Sequence, residues 1–417
     1  MNSSTSNSDA TAPGSETLSK ATPRKLFLVI WLISFGGMAL AMGGVRLYTE
    51  ANNVSGATVL GRVVQALDAL PQITQEPDDL VMAFGSSMTR AGFSARQFDR
   101  QLAEQGVPVK SFNFGFGGLN PYFQDYVARR IREAFEAEDR RLKLAIIELC
   151  PFQVTEARWN GAQEAIDSYF TILANQDELW QVVREDPARG IRLLNIHYLR
   201  DDISAEMVTW YFGQPLRGGR PRSGLPVDEE AAERRREVGE TLSERFEQDY
   251  PDFPDDVDWH YPWQGAGTIP EERSAETRDL LAELYALGRT EQRMSDDRLH
   301  RINCCDIEEL HFEETLIAAF VRMVKQFQMF SDQVEIVMLP RNEAWINYPP
   351  EGRQRLNALI ERLEQETGLI VHDHQQLDVI TPEMFSDTTH LTRYGGDVAY
   401  TQFLVETYGP MLAPVDP

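Results

Sequence analysis

The stretch Asp79-Leu80-Val81-Met82-Ala83-Phe84-Gly85-Ser86-Ser87-Met88-Thr89 decides how this chain folds. Its opening DLVMAF is a short apolar run that stops at a glycine, the pattern of a strand buried on both faces of a parallel sheet. Ser87 then stands where such a strand would turn into a helix. Working outward, Ser94 and Gln97 have capping-box spacing for a helix with Phe98 and Leu102 inward, closed by Gly106. Val107 to Phe112 predicts a second strand, which runs into Asn113-Phe114-Gly115-Phe116-Gly117-Gly118-Leu119-Asn120. Asn120-Pro121 marks a helix start, with Phe123, Val127, Ile131 and Phe135 along one face. Leu142 to Leu149, LKLAIIEL, predicts a third strand.

The same alternation returns near the other end. Phe312 to Phe327 has helical periodicity, Val334 to Leu339 predicts a fourth strand, and Arg353 to Glu366 a helix closed by Gly368. Leu369 to His372 predicts a short fifth strand, and a last helix runs to about Val405. Strand–helix alternation of this kind implies an α/β fold with a doubly wound parallel sheet and right-handed crossovers. Sites in such sheets lie beyond the carboxyl ends of the strands, where Ser87, Gly118 and Cys150 to Gln153 fall.

From about Thr155 to Leu310 the pattern breaks down. Trp159, Trp180, Trp210, Trp259 and Trp263 occur there among acidic helical runs and the loop GQPLRGGRPRSG, residues 213–224. We expect a long, mainly helical insertion over the active edge of the sheet, its aromatics forming its own core rather than a carbohydrate platform.

The 417 residues exceed one typical domain, and the formal net charge of −25 argues against nucleic-acid binding and against docking to anionic lipid headgroups. Residues 1–24 form a polar tail expected to be disordered and cytoplasmic. Leu26 to Val45 carries no charge and matches the ~30 Å core of a bilayer at ~1.5 Å per helical residue. Lys20, Arg24 and Lys25 before it against Arg46 after it favour a cytoplasmic N-terminus. A transmembrane anchor over 25–47 is expected, with a cleaved signal peptide as the rival because Ala39-Leu40-Ala41 has small-x-small spacing. In either case the bulk of the chain is periplasmic or extracellular. A stalk with an amphipathic segment is expected over 48–78, then a first half-domain over 79–154, the insertion over 155–311, and the second half-domain over 312–417.

The chemistry comes from two distant segments. A serine nucleophile needs a base, and the base needs an anion to orient it. Asp387-Thr388-Thr389-His390 supplies an i to i+3 carboxylate and imidazole in a turn, and a parallel sheet brings that turn to the edge where Ser87 sits. These segments together resemble the blocks of the SGNH, or GDSL-type, hydrolases. Gly85-Ser86-Ser87-Met88-Thr89 stands at the family's nucleophile motif, the stretch ending at Gly118 at its second block, and Asp387 and His390 at its D-x-x-H.

The resemblance covers roughly Asp79 to Phe152 and Phe312 to Leu404 and leaves the insertion unexplained. It implies a three-layer, flavodoxin-like sheet, with Ser87 as nucleophile, His390 as acid and base, and Asp387 as orienter. The amides of Ser87 and Gly118 would form the oxyanion hole. It implies no metal and no organic cofactor. Membrane-anchored relatives with G-S-S in the motif include D-alanyl transfer proteins of teichoic acid modification and alginate acetylation proteins. Acyl transfer or ester hydrolysis on a cell-envelope glycan is therefore expected, with a multi-spanning membrane acyltransferase as a partner. A free-standing esterase or lipase, and an inactive glycan-binding subunit, are the alternatives.

Two departures stand out. Ser86 replaces the Asp of G-D-S, and the third block's Asn is missing from Glu148-Leu149-Cys150-Pro151-Phe152-Gln153. Losing one oxyanion donor costs about 2.7–4 kcal/mol in known cases, and Gln153 or Asn120 is the candidate replacement. His372-Asp373-His374 lacks a third metal ligand and is expected to be a satisfied strand end, and Cys305, Asp306 and His311 carry no metal spacing either. Cys150 is expected to be a buried strand-end thiol; the pairing of Cys150, Cys304 and Cys305 stays open.

Overall fold

The structure, a computed structural model, describes residues 23–51, 59–163, 166–200, 224–249 and 274–413. The N-terminal tail before residue 23, most of the 213–224 loop, and Trp210, Trp259 and Trp263 lie outside the described residues. The chain divides into two units, 1–52 and 53–417.

The first unit contains helix α1, Pro23–Ala51. Its apolar side chains are exposed, Leu26, Phe27, Ile30 and Ile33 by more than half. Among the described residues no helix is long and apolar enough to cross a membrane. Of the uncharged run 26–45, side chains are described at 26–41, 43 and 44.

The second unit is built on five parallel strands in the order β2-β1-β3-β4-β5: β1 Asp79–Gly85, β2 Val109–Gly115, β3 Leu142–Glu148, β4 Ser331–Met338 and β5 Val371–Asp373. From Leu80 to Gly85 every residue of β1 is buried, because helices cover both faces of a parallel sheet. Helix α6, Pro121–Ala137, packs on α14, Glu314–Phe330, and α5, Ala95–Glu104, packs on α16, Gly396–Leu412. Phe84 joins the layers, its ring 4.9 Å from that of Phe327 on α14.

The strand order reverses at β1. The chain builds β2 on one side of it and then crosses to build β3 on the other, leaving a crevice at the carboxyl ends of β1 and β3. This is the doubly wound sheet expected from the strand–helix alternation. Most boundaries differ from the expected ones by one to three residues, β2 extending to Gly115, β4 beginning at Ser331, and α15, Pro350–Thr367, beginning three residues before Arg353, but the last helix runs on to Leu412, well past the expected Val405.

Three expectations need correction. The stalk over 48–78 does not hold for its later part. Helices α2, Val59–Asp68, and α3, Leu70–Ile73, bury Val63, Ala66, Leu70 and Ile73 in the main core. Arg62, itself buried, donates to the carbonyls of Gly115 and Asn113. The amphipathic face of this segment is a core face. The capping box at Ser94 is only half made: Ser94 Oγ accepts from the Gln97 amide, but Gln97 Nε2 reaches across to Val398 O. Trp180 is 47% exposed, so it belongs to no core, whereas Trp159 packs edge-on against Tyr122.

The insertion leaves and rejoins the sheet domain at one point. Thr155 and Phe312 form an antiparallel bridge, and the Glu156 and Glu313 amides donate to His311 O and Val154 O. Between them lie α7 Glu156–Ala162, α8 Ile166–Leu173, α9 Gln176–Glu185, α10 Pro187–Arg200, α11 Glu229–Asp249, α12 Ala275–Gly288 and α13 Glu291–Cys305. Phe170, Ala174, Leu179 and Leu193 give it a small core of its own.

Candidate active site

The turn after β1 is shaped by what approaches it. Helix α4, Ser87–Gly92, starts at the N-cap Ser86, whose Oγ accepts from the Met88 amide. Glu148, at the end of β3 and 3% exposed, reaches across the crevice to the same turn. Its carboxylate accepts from Ser86 N at 2.7 Å, Ser86 Oγ at 2.6 Å, Thr89 N at 3.1 Å, and Thr89 Oγ1. A Cβ on Gly85 would overlap both Glu148 and Thr89 Oγ1, so only glycine admits the carboxylate. Each small or hydroxyl residue of Gly-Ser-Ser-Met-Thr except Ser87 thus serves the Glu148 clamp.

Ser87 itself is half-buried, and its Oγ lies 2.7 Å from His390 Nε2. His390 Nδ1 lies 2.7 Å from Asp387 Oδ2. Because the carboxylate only accepts, Nδ1 carries the proton and Nε2 is left to accept from the serine hydroxyl. Asp387 Oδ1 is occupied separately, accepting from the amides of Thr389 at 2.7 Å and His390 at 2.8 Å. The loop closes on itself through Ser386 N to His390 O and the Phe385–Leu391 bridge. Burial pushes the Asp387 carboxyl up, but the His390 hydrogen bond and the charges of His390 and Arg301 outweigh it and hold the group well below the usual carboxylate range. The three residues expected to cooperate across some 300 positions of sequence form one continuous relay.

The expected oxyanion residues sit around the same edge. Among the described residues the Ser87 amide has no hydrogen-bond partner, while the next amides of α4 are taken by Ser86 and Glu148. Gly118, at φ +80°, lies in the loop before α6, and its carbonyl accepts from Arg158 Nη2 at 2.9 Å. Arg158 Nε also holds Gln153 Oε1 at 2.9 Å, so this insertion side chain ties two of the expected residues together. Asn120 caps α6 by accepting from the Phe123 amide, which occupies its Oδ1 and leaves Nδ2 as its donor.

Several residues escaped the sequence reading. Glu148 is the first, and a carboxylate ending an otherwise apolar strand was its signal. Asp297 and Arg301 on α13 are the others. Asp297 Oδ2 accepts from the Thr388 amide at 3.2 Å and from Thr388 Oγ1, and Arg301 Nε holds the same oxygen at 2.9 Å. Arg301 Nη2 lies 3.4 Å from Asp387 Oδ2. Arg289 Nη1 donates to Phe385 O, and Tyr285 OH accepts from the Arg393 amide, so α12, the turn after it and α13 all grip the histidine loop.

His372 pairs with Glu335 at 2.7 Å, and buried His374 meets Tyr400 OH at 3.0 Å, with burial and His372 lowering its pKa to about 4. His311 pairs locally with Asp306. Among the described residues no group of His, Cys, Asp and Glu is arranged to hold a metal. Cys150 is buried beside Glu148, and both effects push its thiol pKa up, as a strand-end thiol rather than a nucleophile requires. All three cysteines are free thiols. No family model matches the chain, and no curated protein matches it.

Proposed function

We propose that the chain is a serine acyl hydrolase or acyltransferase of the SGNH type, anchored by its N-terminal helix and acting on acyl groups of a cell-envelope glycan. The observation that carries the chemistry is the relay Ser87 Oγ–His390 Nε2–His390 Nδ1–Asp387 Oδ2, both links at 2.7 Å. His390 takes the Ser87 proton on Nε2 as Oγ attacks the acyl carbonyl, and Asp387 balances the imidazolium. The negative oxygen that forms is placed against the amides of Ser87 and Gly118, with Asn120 Nδ2 as the third donor in place of the missing block. The imidazolium then protonates the leaving alkoxide. Water or an acceptor hydroxyl, deprotonated by the same nitrogen, releases the acyl group from Ser87.

The position at the β1/β3 reversal supports this reading, because ligands of doubly wound sheets bind there. The glycan and the membrane partner rest on the resemblance. The anchor rests on the uncharged run 26–45 and on the exposed apolar side chains of α1. A fluorophosphonate probe tests the chemistry: the full-length protein in detergent is labelled, and Ser87→Ala and His390→Ala lose the label. Absence of labelling in folded wild-type protein overturns the reading of an autonomous enzyme.

A further inference from the structure

The histidine loop is not held by the sheet domain alone. Its carboxylate, the threonine beside it and its flanking backbone are met by side chains of α12, the turn after it and α13, all inside the insertion. The closest of these to the relay is Arg301. Its side chain is 14% exposed, Nε is fixed on Asp297, and Nη2 faces the Asp387 oxygen that also receives the His390 proton. Asp297 in turn holds Thr388, the residue directly after Asp387. Arg301 and Asp297 are four residues apart on one helix face, so a single turn of α13 delivers one contact to the carboxylate and one to the backbone beside it.

Resting on the acyl-transfer reading above, we propose that Arg301, tethered by Asp297, is a positioning residue of the relay, fixing the Asp387 carboxylate and opposing a positive charge on the His390 ring. Asp387 Oδ2 has two suitors: the imidazole Nδ1–H and the guanidinium. A cation beside the carboxylate opposes a second positive charge on the imidazole. The same cation fixes the rotamer of the carboxylate, since Oδ1 is held by the loop amides and Oδ2 by Arg301 and His390 together. The charged and titratable groups acting on Arg301 are Asp387 from the loop and Asp297 and Cys305 from α13, while Cys304 and Cys305 feel Arg158 from α7 as well as Arg301. The insertion therefore contributes to the chemistry of the site, and not only to the surface above it.

The test compares Arg301→Gln and Arg301→Lys with wild type in the full-length protein, reading the fluorophosphonate labelling rate from pH 5 to 9. Arg301→Gln is expected to move the acid limb to higher pH by about one unit and to slow labelling at neutral pH about tenfold. Arg301→Lys keeps a cation near Asp387 but cannot hold Asp297 in the same planar fork, so its acid limb stays near wild type while its rate falls. An acid limb that does not move in Arg301→Gln, in protein of wild-type thermal stability, overturns the proposal. If Arg301→Gln does not fold, Arg301→Lys decides: an acid limb displaced despite the retained cation, or a rate equal to wild type, overturns it. Should wild-type protein refuse the probe, the function above fails, and the His390 ring signals followed by nuclear magnetic resonance in the same variants still answer the question. Titration of His390 that is identical with Gln and Arg at position 301 then overturns the role of Arg301.

Discussion

Gly85–Thr89 and Phe385–Leu391 carry the two halves of the relay, and they draw their support from different parts of the chain. The first turn is held from within the sheet, by one buried carboxylate at the end of the neighbouring strand. The second is held by its own amides and by side chains of the insertion, partly exposed and linked as ion pairs. Buried support and borrowed support have different consequences. Losing the first leaves donors stranded in the core, which costs folding free energy. Losing the second lets the histidine loop relax, which costs geometry at the site while the sheet core stays intact.

The strongest way to break this contrast is Glu148→Ala. Four donors from Ser86 and Thr89 lose their acceptor at a buried position, so a loss on the order of 3 kcal/mol of stability is expected. Urea unfolding measures it, and labelling of Ser87 should vanish with it. An unfolding midpoint equal to wild type would mean that the carboxylate clamp is decoration. Gly85→Ala probes the same clamp from the other side. The added methyl meets Glu148 and Thr89 inside contact distance, and such overpacking costs about 1–3 kcal/mol. If the variant unfolds like wild type, the turn is more compliant than its geometry implies.

Asp297→Asn sharpens the borrowed side. It weakens the hold on Thr388 and on Arg301 at a partly exposed position, so the unfolding midpoint should barely change. The labelling rate is expected to fall about tenfold, equivalent to about 1.4 kcal/mol in the barrier. A midpoint that drops as far as in Glu148→Ala would erase the distinction between the two loops.

The same division explains which residues were legible in the sequence. The run DLVMAF, the glycine after it and the Asp-x-x-His turn are local patterns, and local patterns are enough to place β1, Ser87, Asp387 and His390. Glu148 acts on residues 59 and 62 positions away, and within its own strand it is only the polar end of LAIIEL. Asp297 and Arg301 have the spacing of an ordinary solvated helix face, and nothing near them in sequence points to Asp387 or Thr388. The amphipathic segment 59–73 was visible as amphipathic, but its target, the α6 side of the core, was not. What stayed hidden in each case was a long-range partner, because periodicity identifies a face and not what covers it.

Two aspartates of this second half-domain carry the contrast into the pH dependence of stability. Asp387 is held below the ordinary carboxyl range in the folded protein, so it stabilises the fold above that range, and this contribution fades as pH falls through its folded value. Asp397, in the first turn of α16, is the reverse. It is 1% exposed, its Oδ1 accepts from the Val398 amide, and its Oδ2 has no partner among the described residues. Burial raises its pKa to about 7, against the opposing pull of Arg393 and the amides of Val398, Gly395 and Tyr394. Between the ordinary carboxyl range near 4 and about 7 the unfolded chain has released this proton while the folded protein keeps it, so stability falls as pH rises across that window and is flat above it. Asp397→Asn removes the titration while leaving an oxygen for Val398. Urea unfolding at pH 4.5 and 7.5 should show the variant gaining on wild type by on the order of 3 kcal/mol between the two conditions. A gain of the opposite sign would mean that Arg393 holds Asp397 ionised, and that the helix beneath the histidine loop is supported by charge just as the loop is.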